Sequence, residues 1–193
     1  MKLNKKKIIF IIGGGVLFLF LLLLVTYRTP TQKVTKLLVK NGYTHENDSA
    51  LYSKQISNLN YNQYEEQVKE GNSSLYEENY FDTKQYEFIK VKMEYSDGIQ
   101  TNFTPQYDYK NSILSYTYRV TIMDKSSVIF EGSYNSDFDS LVCENSYTYH
   151  FDIEGNENVF CDKIKIEVKK FYEEMINLIK DANLVYRMMD ENN

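Results

Sequence analysis

The sequence has few of the residues from which metal sites and catalytic sites are usually built. It contains two cysteines and two histidines in 193 residues, too few for a zinc site with normal ligand spacing. It also lacks a G-x-S-x-G nucleophile motif, a glycine-rich phosphate loop and an H-E-x-x-H motif. We therefore predict no cofactor and no metal ion, and we expect a protein that is not an enzyme.

Neighbouring carboxylates leave one enzymatic alternative open. Candidate pairs are Glu65 with Glu66, Glu77 with Glu78, and Asp137 with Asp139. None of these pairs has the spacing of a calcium-binding loop, and the first two pairs are typical of solvated charge in loops. A hydrolase of the cell envelope remains an alternative on this basis.

Charge is absent from one long segment near the start of the chain. The run from Ile8 to Tyr27 has 20 residues without a charge, and a helix of that length spans about 30 Å, the thickness of a bilayer's hydrocarbon core. Neither an A-x-A-like cleavage site nor a lipid-accepting cysteine follows it. We predict an uncleaved transmembrane signal anchor over residues 8–27. Residues that represent its membrane-embedded surface are Ile8, Phe10, Leu17, Leu21, Leu24 and Tyr27.

Positive charge lies mainly before this run, which predicts its orientation. The lysines concerned are Lys2, Lys5, Lys6 and Lys7. Because positive flanks stay in the cytoplasm, residues 1–7 are predicted to form a cytoplasmic tail and residues 28–193 a single domain outside the cell membrane.

The predicted outer domain is acidic. Its 166 residues are enough for one hydrophobic core, and they carry 18 lysines and arginines against 27 aspartates and glutamates, a net charge of −9. This charge argues against nucleic acid as a partner. The predicted partners are the lipid bilayer, through the anchor, and a protein of the cell envelope.

Apolar spacing predicts an α+β fold. Thr29-Pro30 and Asn41-Gly42 bracket a short helix over about 31–40, and a strand is expected at 50–56. Residues 57–74 are predicted to be a loop, with at most a helical turn at 64–69. From about residue 86, alternating residues and turns predict an antiparallel meander of about five to seven strands.

Within this meander, specific positions are assigned to the two faces of the sheet. One face of the first long strand is assigned Ile89, Val91, Met93 and Tyr95, and the other face Lys90, Lys92 and Glu94. Pro105 is expected to end the following strand. The inward residues of the next strand are predicted to be Ile113, Tyr116, Tyr118, Val120 and Ile122.

The end of the chain predicts an amphipathic helix that packs on one sheet face. Asp162 is its expected N-cap. The apolar stripe consists of Ile164, Val168, Phe171, Met175, Leu178, Ile179 and Ala182.

Cys143 and Cys161 are predicted to form a disulfide. Both lie outside the cytoplasm in the predicted topology, where an even cysteine count favours a bond. If residues 153–157 formed a hairpin, however, Cys161 would lie opposite Tyr149. Two free buried thiols are therefore the alternative.

Tyrosine is abundant, with 18 residues. Those in strand-like runs are Tyr107, Tyr109, Tyr116, Tyr118, Tyr147 and Tyr149. Packing across strands is the expected role, and an aromatic platform for a glycan or peptide is the alternative. The absence of tryptophan counts against the platform. His45 and His150 are interpreted as surface or packing residues.

Several segments together resemble a group of bacterial envelope proteins. They are "KLLVKNGYTHENDSALYSKQI", the tyrosine-rich strands, the late cysteine pair and "FYEEMINLIKDANL". The pattern is similar to that of small, uncharacterised, single-pass or lipid-anchored proteins of AT-rich Firmicutes, and the many Lys, Asn, Ile and Tyr codons fit such a genome. This resemblance covers most of residues 28–190 and implies no activity.

Taken together, these patterns predict a membrane-anchored domain outside the cytoplasm that binds a protein partner or takes part in envelope assembly. The alternatives are a sensor of a glycan or a small apolar ligand, and the envelope hydrolase named above.

Overall fold

The computed structural model describes residues 29–45, 49–122, 126–134, 144–149 and 157–179. Over these residues the helices are α1 (Pro30–Lys40), α2 (Tyr61–Lys69) and α3 (Glu157–Leu178). The strands are β1 (Thr44–His45), β2 (Leu51–Gln55), β3 (Ser74–Asp82), β4 (Glu87–Ser96), β5 (Ile99–Asp108), β6 (Ile113–Ile122), β7 (Ser126–Tyr134) and β8 (Glu144–Tyr149).

The described strands form one antiparallel sheet in sequence order, with β1 at one edge and β8 at the other. Each inner strand pairs with the strand before it and the strand after it, so successive connections alternate between the two ends of the sheet. This arrangement confirms the predicted α+β class, with an antiparallel meander and a C-terminal helix.

The main core lies between one face of the sheet and the helices α1 and α3. Helix α1 contributes Val34 and Leu38. The ring of Phe171 in α3 stacks on that of Phe88 in β4, with centroids 5.2 Å apart. The predicted stripe of α3 is confirmed for Ile164, Val168, Phe171, Met175, Leu178 and Ile179, which are all buried. Ala182 lies outside the described residues.

Helix α2 covers part of the opposite sheet face. Tyr64 of α2 packs there against Tyr76 of β3 and Tyr95 of β4, and Val68 is half-buried in the same cluster. Farther along this face, β5 and β6 present mainly threonine, serine, asparagine and glutamine. The sheet therefore has helices on both faces, but α2 covers only part of the second face.

The predicted loop at 57–74 was wrong, because it contains α2 and the start of β3. Asn60 caps α2, and its side chain accepts a hydrogen bond from the backbone N–H of Gln63, while the Gln63 side chain accepts one from the N–H of Asn60. This reciprocal capping box was the available sequence signal. The weak apolar period reflects a helix that buries little more than Tyr64 and Val68.

The prediction that Pro105 ends its strand was also wrong. Strand β5 continues to Asp108, and Pro105 keeps its register opposite Tyr116 of β6. On the other side, the pairing of β4 with β5 is interrupted between Ile89 and Lys92. A proline cannot donate to a ladder, and here the loss is confined to one neighbour.

One assignment to a sheet face and one helix boundary differ from the prediction. In β6, Leu114 is buried and Ile113 is 40% exposed, so Ile113 belongs to the outer face. Helix α3 begins at Glu157 rather than after Asp162. Its first turn is anchored by Phe160, whose ring centroid lies 6.3 Å from that of Phe130.

Helix α1 has an independent start. Thr29 has extended dihedral angles (φ −61°, ψ 154°) and forms a capping box with Gln32, so α1 is not a straight continuation of any preceding helix. Among the described helices, none combines the length and apolar character needed to cross a bilayer. The predicted anchor at residues 8–27 lies outside the described part of the chain.

Candidate functional site

Charged residues of the sheet face α3 instead of solvent. The alternation predicted in β4 is correct, but Lys90 is only 3% exposed, under the helix. Its Nζ lies 2.7 Å from Oε1 of Glu77 in β3 and 2.6 Å from Oε2 of Glu174 in α3. Two carboxylates on one ammonium leave this cluster with a net charge of −1.

A second ion-pair group follows along the same face. Nζ of Lys92 lies 2.8 Å from Glu94 and 3.0 Å from Glu167, and Lys163 lies 2.6 Å from Glu94. Burial alone would raise the pKa of Glu94, but the hydrogen bonds from Lys163 and Lys92 outweigh it and hold the pKa below its usual value. Glu94 is therefore held ionised between the sheet and α3.

An open cleft of about 300 Å³ lies beside the Lys90 cluster. It is formed by the C-terminal ends of α1 and α3 and by strands β2, β3 and β4. The cleft is lined by Asn41, Tyr43, Lys54, Ile56, Asn79, Phe88, Glu174, Asn177 and Leu178. This volume is at the lower end for small-molecule pockets.

The end of helix α1 determines where Tyr43 lies. Gly42 has a φ of +84°, a conformation that glycine adopts without strain. The backbone N–H of Tyr43 then donates to the carbonyl of Leu38 at 3.0 Å, which closes the helix end. The helix therefore ends at Asn41-Gly42, as predicted. The next residue, Tyr43, lies in the wall of the cleft.

The cleft contains a polar atom without a partner. Asn79 is 5% exposed, and its Oδ1 is enclosed and has no hydrogen-bond partner among the described residues. The Asn79 side chain lies close enough to the Tyr43 phenol to lower its pKa, while the amide oxygen remains unpaired among the described residues. A buried acceptor without a partner costs free energy, and rotation of the Asn79 side chain toward the cleft would let a donor in a bound molecule relieve that cost.

Tyr43 itself stays neutral. Burial raises its pKa well above the usual value, the hydrogen bond from Asn79 opposes this rise, and the carboxylate of Glu174 adds to it. The phenol therefore contributes an apolar ring and a neutral hydroxyl to the cleft.

Lys54 supplies positive charge at the opening. It pairs in register with Asn79, and its Nζ donates to the carbonyl of Asn41 at 2.8 Å. The same Nζ lies 5.9 Å from the ring centroid of Tyr43, within cation–π range. The cleft thus presents an ammonium, a half-exposed carboxylate and a buried amide oxygen beside apolar walls.

The interpretation of Glu77 and Glu78 as loop charge was wrong. Both lie in β3 and face opposite sides of the sheet. Glu77 pairs with Lys90, whereas Glu78 accepts hydrogen bonds from the hydroxyls of Tyr76 and Tyr80, the latter at 2.7 Å. Both carboxylates are therefore bonded to other side chains, whereas the sequence pattern had suggested that they were solvated.

The four tyrosines of the strand-like runs whose side chains are described pack in or against the core, which was their expected role, and they give no support to the alternative of an aromatic platform. Tyr109, Tyr116 and Tyr118 are buried in the main core, and Tyr107 is half-buried against it. Tyr147 and Tyr149 lie in β8. The ring of His45 packs edge-on against Tyr52 with centroids 4.8 Å apart, whereas His150 lies outside the described residues.

Most of the remaining predicted site residues lie in parts of the chain that the structure does not describe. The anchor residues, the four N-terminal lysines and Cys143 lie outside the described ranges. Cys161 lies in the second turn of α3, so the hairpin that would have placed it opposite Tyr149 is wrong. The disulfide stays a prediction.

Sequence reasoning missed the cleft residues, because they lie in or next to five elements and form no motif. The register between Lys54 and Asn79 follows only once β3 is known to be a strand. Within the described ranges, no group of three or more histidine, cysteine, aspartate or glutamate side chains is arranged to bind a metal ion.

Comparisons of the chain with protein-family models, with curated proteins and with solved structures found no match.

Proposed function

We propose that this protein is a membrane-anchored binding module outside the cytoplasm, in which the cleft receives a segment of an envelope protein partner. The observation that carries the proposal is the unpartnered Oδ1 of Asn79 in a cleft that also offers Lys54 and Glu174. A peptide segment has backbone N–H donors, carbonyl acceptors and apolar side chains, and so matches all three kinds of cleft surface.

Anchoring is supported by the uncharged 20-residue run and by the chain that follows it. Only two residues separate Tyr27 from Pro30, the first residue of α1. The cap at Thr29 makes α1 a separate helix, and the short connection would hold the domain close to the membrane surface. We propose that residues 1–7 are cytoplasmic and residues 28–193 are outside.

A site-specific photo-crosslinking experiment in native membranes tests the proposal. The crosslinking amino acid replaces Ile56, which is 44% exposed and lines the cleft, and in a matched control it replaces Ile99, which is 37% exposed and does not line it. We expect a discrete adduct with a second protein from position 56 and none from position 99. Recovery of the chain alone from both positions would contradict the proposal.

The orientation is tested separately with a reporter enzyme fused after Asn193. A reporter that is active only outside the cytoplasm is expected. Activity confined to the cytosol, or mature protein that begins near residue 28 in the culture medium, would contradict the anchoring part.

A ligand sensor is the second candidate, favoured by the small volume of the cleft. A single sugar or a similar small molecule fits about 300 Å³. Addition of N-acetylglucosamine to isotope-labelled protein should then shift the side-chain amide resonances of Asn79. Asn177, which also lines the cleft, gives a second resonance for the same site.

The hydrolase alternative receives less support from the cleft. Glycoside hydrolysis generally requires two carboxyl groups about the scissile bond. Among the cleft residues Glu174 alone carries a carboxylate, and Lys90 pairs with it.

A further inference from the structure

Two hairpin turns at one end of the sheet share the same construction. In the turn between β3 and β4, Oδ1 of Asp82 accepts hydrogen bonds from the backbone N–H groups of Lys84 at 2.7 Å and Gln85 at 2.9 Å. Tyr86 then takes a positive φ of 58°. The carboxylate is thereby folded back onto the turn, and the side chain of Lys84 is exposed at its tip.

The turn between β5 and β6 repeats this arrangement. Oδ1 of Asp108 accepts from the N–H groups of Lys110 at 2.8 Å and Asn111 at 3.1 Å, and Ser112 has a φ of 54°. Lys110 is exposed at the tip. Because the connections alternate along a meander, both lysine-bearing tips lie at the same end of the sheet.

The start of α1 lies at this same end. The hydroxyls of Thr31 and Tyr86 are hydrogen-bonded at 3.1 Å. The N–H of Tyr109 donates to the carbonyl of Tyr86 at 3.1 Å, and Nζ of Lys110 lies 5.8 Å from the Tyr86 ring centroid. Tyr86 thus joins both turns to the first turn of α1.

We propose that these two turns rest on the phosphate-bearing headgroups of the bilayer that holds the anchor. This inference rests on the proposed anchoring at residues 8–27. Three residue steps lead from Tyr27 to Pro30 and span at most about 10 Å. The first turn of α1, and with it the two turns bonded to Tyr86, is therefore held at the lipid surface.

Local charge determines how this end meets the headgroups. The net charge of −9 argues against lipid binding by the free domain, but charges farther than about 8 Å are largely screened at physiological salt. At the end of the sheet that would face the lipid, Lys84 and Lys110 lie at the tips of the two turns. Asp82, Glu87 and Asp108 are neighbours in register at the strand ends, and the carboxylates of Asp82 and Asp108 are bonded to backbone N–H groups of the turns. The tips therefore present positive charge toward the phosphates, and the tether removes the need for strong attraction.

Fluorescence quenching on the full chain in liposomes tests this orientation. The liposomes contain phosphatidylcholine and phosphatidylglycerol in equal parts, with a nitroxide quencher on the headgroups. A genetically encoded fluorescent amino acid replaces Lys84, and in a matched control it replaces Lys69, an exposed lysine at the end of α2, toward the opposite end of the sheet. Quenching at position 84 should exceed that at position 69 several-fold.

A charge-reversal variant checks the role of the lysines. With the fluorophore at Asn111, the double substitution Lys84→Glu and Lys110→Glu should reduce quenching to the level at position 69. Reversal of Lys36 and Lys40, which are exposed on α1, should leave quenching at position 111 unchanged.

Extraction with alkaline carbonate distinguishes the two levels of the proposal. If the chain stays in the liposomes but positions 84 and 69 are quenched equally, the orientation is wrong and the anchoring stands. If the chain is extracted, both the anchoring and the orientation that depends on it are overturned.

Discussion

Gly132 shows how a single residue is fixed by its neighbour across the sheet. It lies in β7 directly opposite Tyr116 of β6. A Cβ at this position would lie 2.7 Å from both Cε1 and the hydroxyl oxygen of Tyr116, closer than atoms can approach without a shift. The buried tyrosine ring thus covers bare backbone, and any larger residue at 132 must displace it.

The substitution Gly132→Ala is expected to lower the free energy of unfolding by about 1–3 kcal/mol, because overpacking displaces the Tyr116 ring or the β7 backbone. Chemical denaturation monitored by circular dichroism measures the change. Ser133→Ala, at the exposed neighbouring position, is the control and should change stability by less than about 0.5 kcal/mol. Equal transitions for Gly132→Ala and the wild type would show that the ring moves aside without cost.

At the scale of elements, the sequence correctly predicted helices and strands whose buried residues follow a clear apolar period. Helix α3 is an example, since its stripe from Ile164 to Ile179 follows the helical period. The prediction failed for β3, in which each face mixes aromatic and charged residues. Glu77 and Glu78 look solvated in sequence, and only the partners Lys90 and Tyr80, which lie 13 and 2 residues away, show why they belong to a sheet.

The cleft could not be predicted for the same reason, because it depends on contacts between elements and not on a pattern within one of them. Its polar residues come from β2, β3 and α3, and Lys90 looked like a solvent-facing residue of an amphipathic strand. Alternation correctly separated the two faces of β4, but it did not reveal that the charged face is the one that α3 covers.

The attachment of α3 to the sheet should depend on pH through Glu94. The hydrogen bonds from Lys163 and Lys92 hold its pKa below the usual value of 4.5 in the folded protein. The stabilisation by ionised Glu94 is therefore fully present above about pH 4.5 and is lost as the pH falls through the folded pKa. We expect the wild type to lose more stability than Glu94→Gln between about pH 5 and pH 3.

Urea denaturation at several pH values measures this difference. The control is Glu173→Gln, at an exposed position of α3, which should follow the wild type throughout. A constant difference between the wild type and Glu94→Gln across this range would mean that the ion pairs with Lys92 and Lys163 contribute nothing.

At the scale of the whole molecule, the proposed membrane contact and the proposed binding cleft lie at different ends of the domain. The end that carries the β3–β4 and β5–β6 turns adjoins the start of α1 and thus the proposed anchor. The cleft includes Asn41, at the opposite end of that helix. With a rise of about 1.5 Å per residue, α1 separates its two ends by about 16 Å. A partner would therefore meet the cleft away from the lipid surface.

The predicted disulfide between Cys143 and Cys161 would link the meander to α3. It would close a loop of 18 residues, and reduction should lower the free energy of unfolding by about 3 kcal/mol on the chain-entropy model. Alkylation of the denatured, unreduced protein followed by mass spectrometry measures the bond. Two alkylated cysteines would contradict it. The double variant Cys143→Ser and Cys161→Ser provides the control, because reduction should not change its stability.

Strand β1, with only Thr44 and His45, gives one border of the described sheet very little free backbone. Long unpaired borders are templates on which further chains add as strands and grow into amyloid-like fibres. Many copies held side by side on one membrane would meet at high local density. The border is short, because β2 has only five residues and β1 pairs with two of them. It offers them little to extend, so crowding on this side need not lead to aggregation.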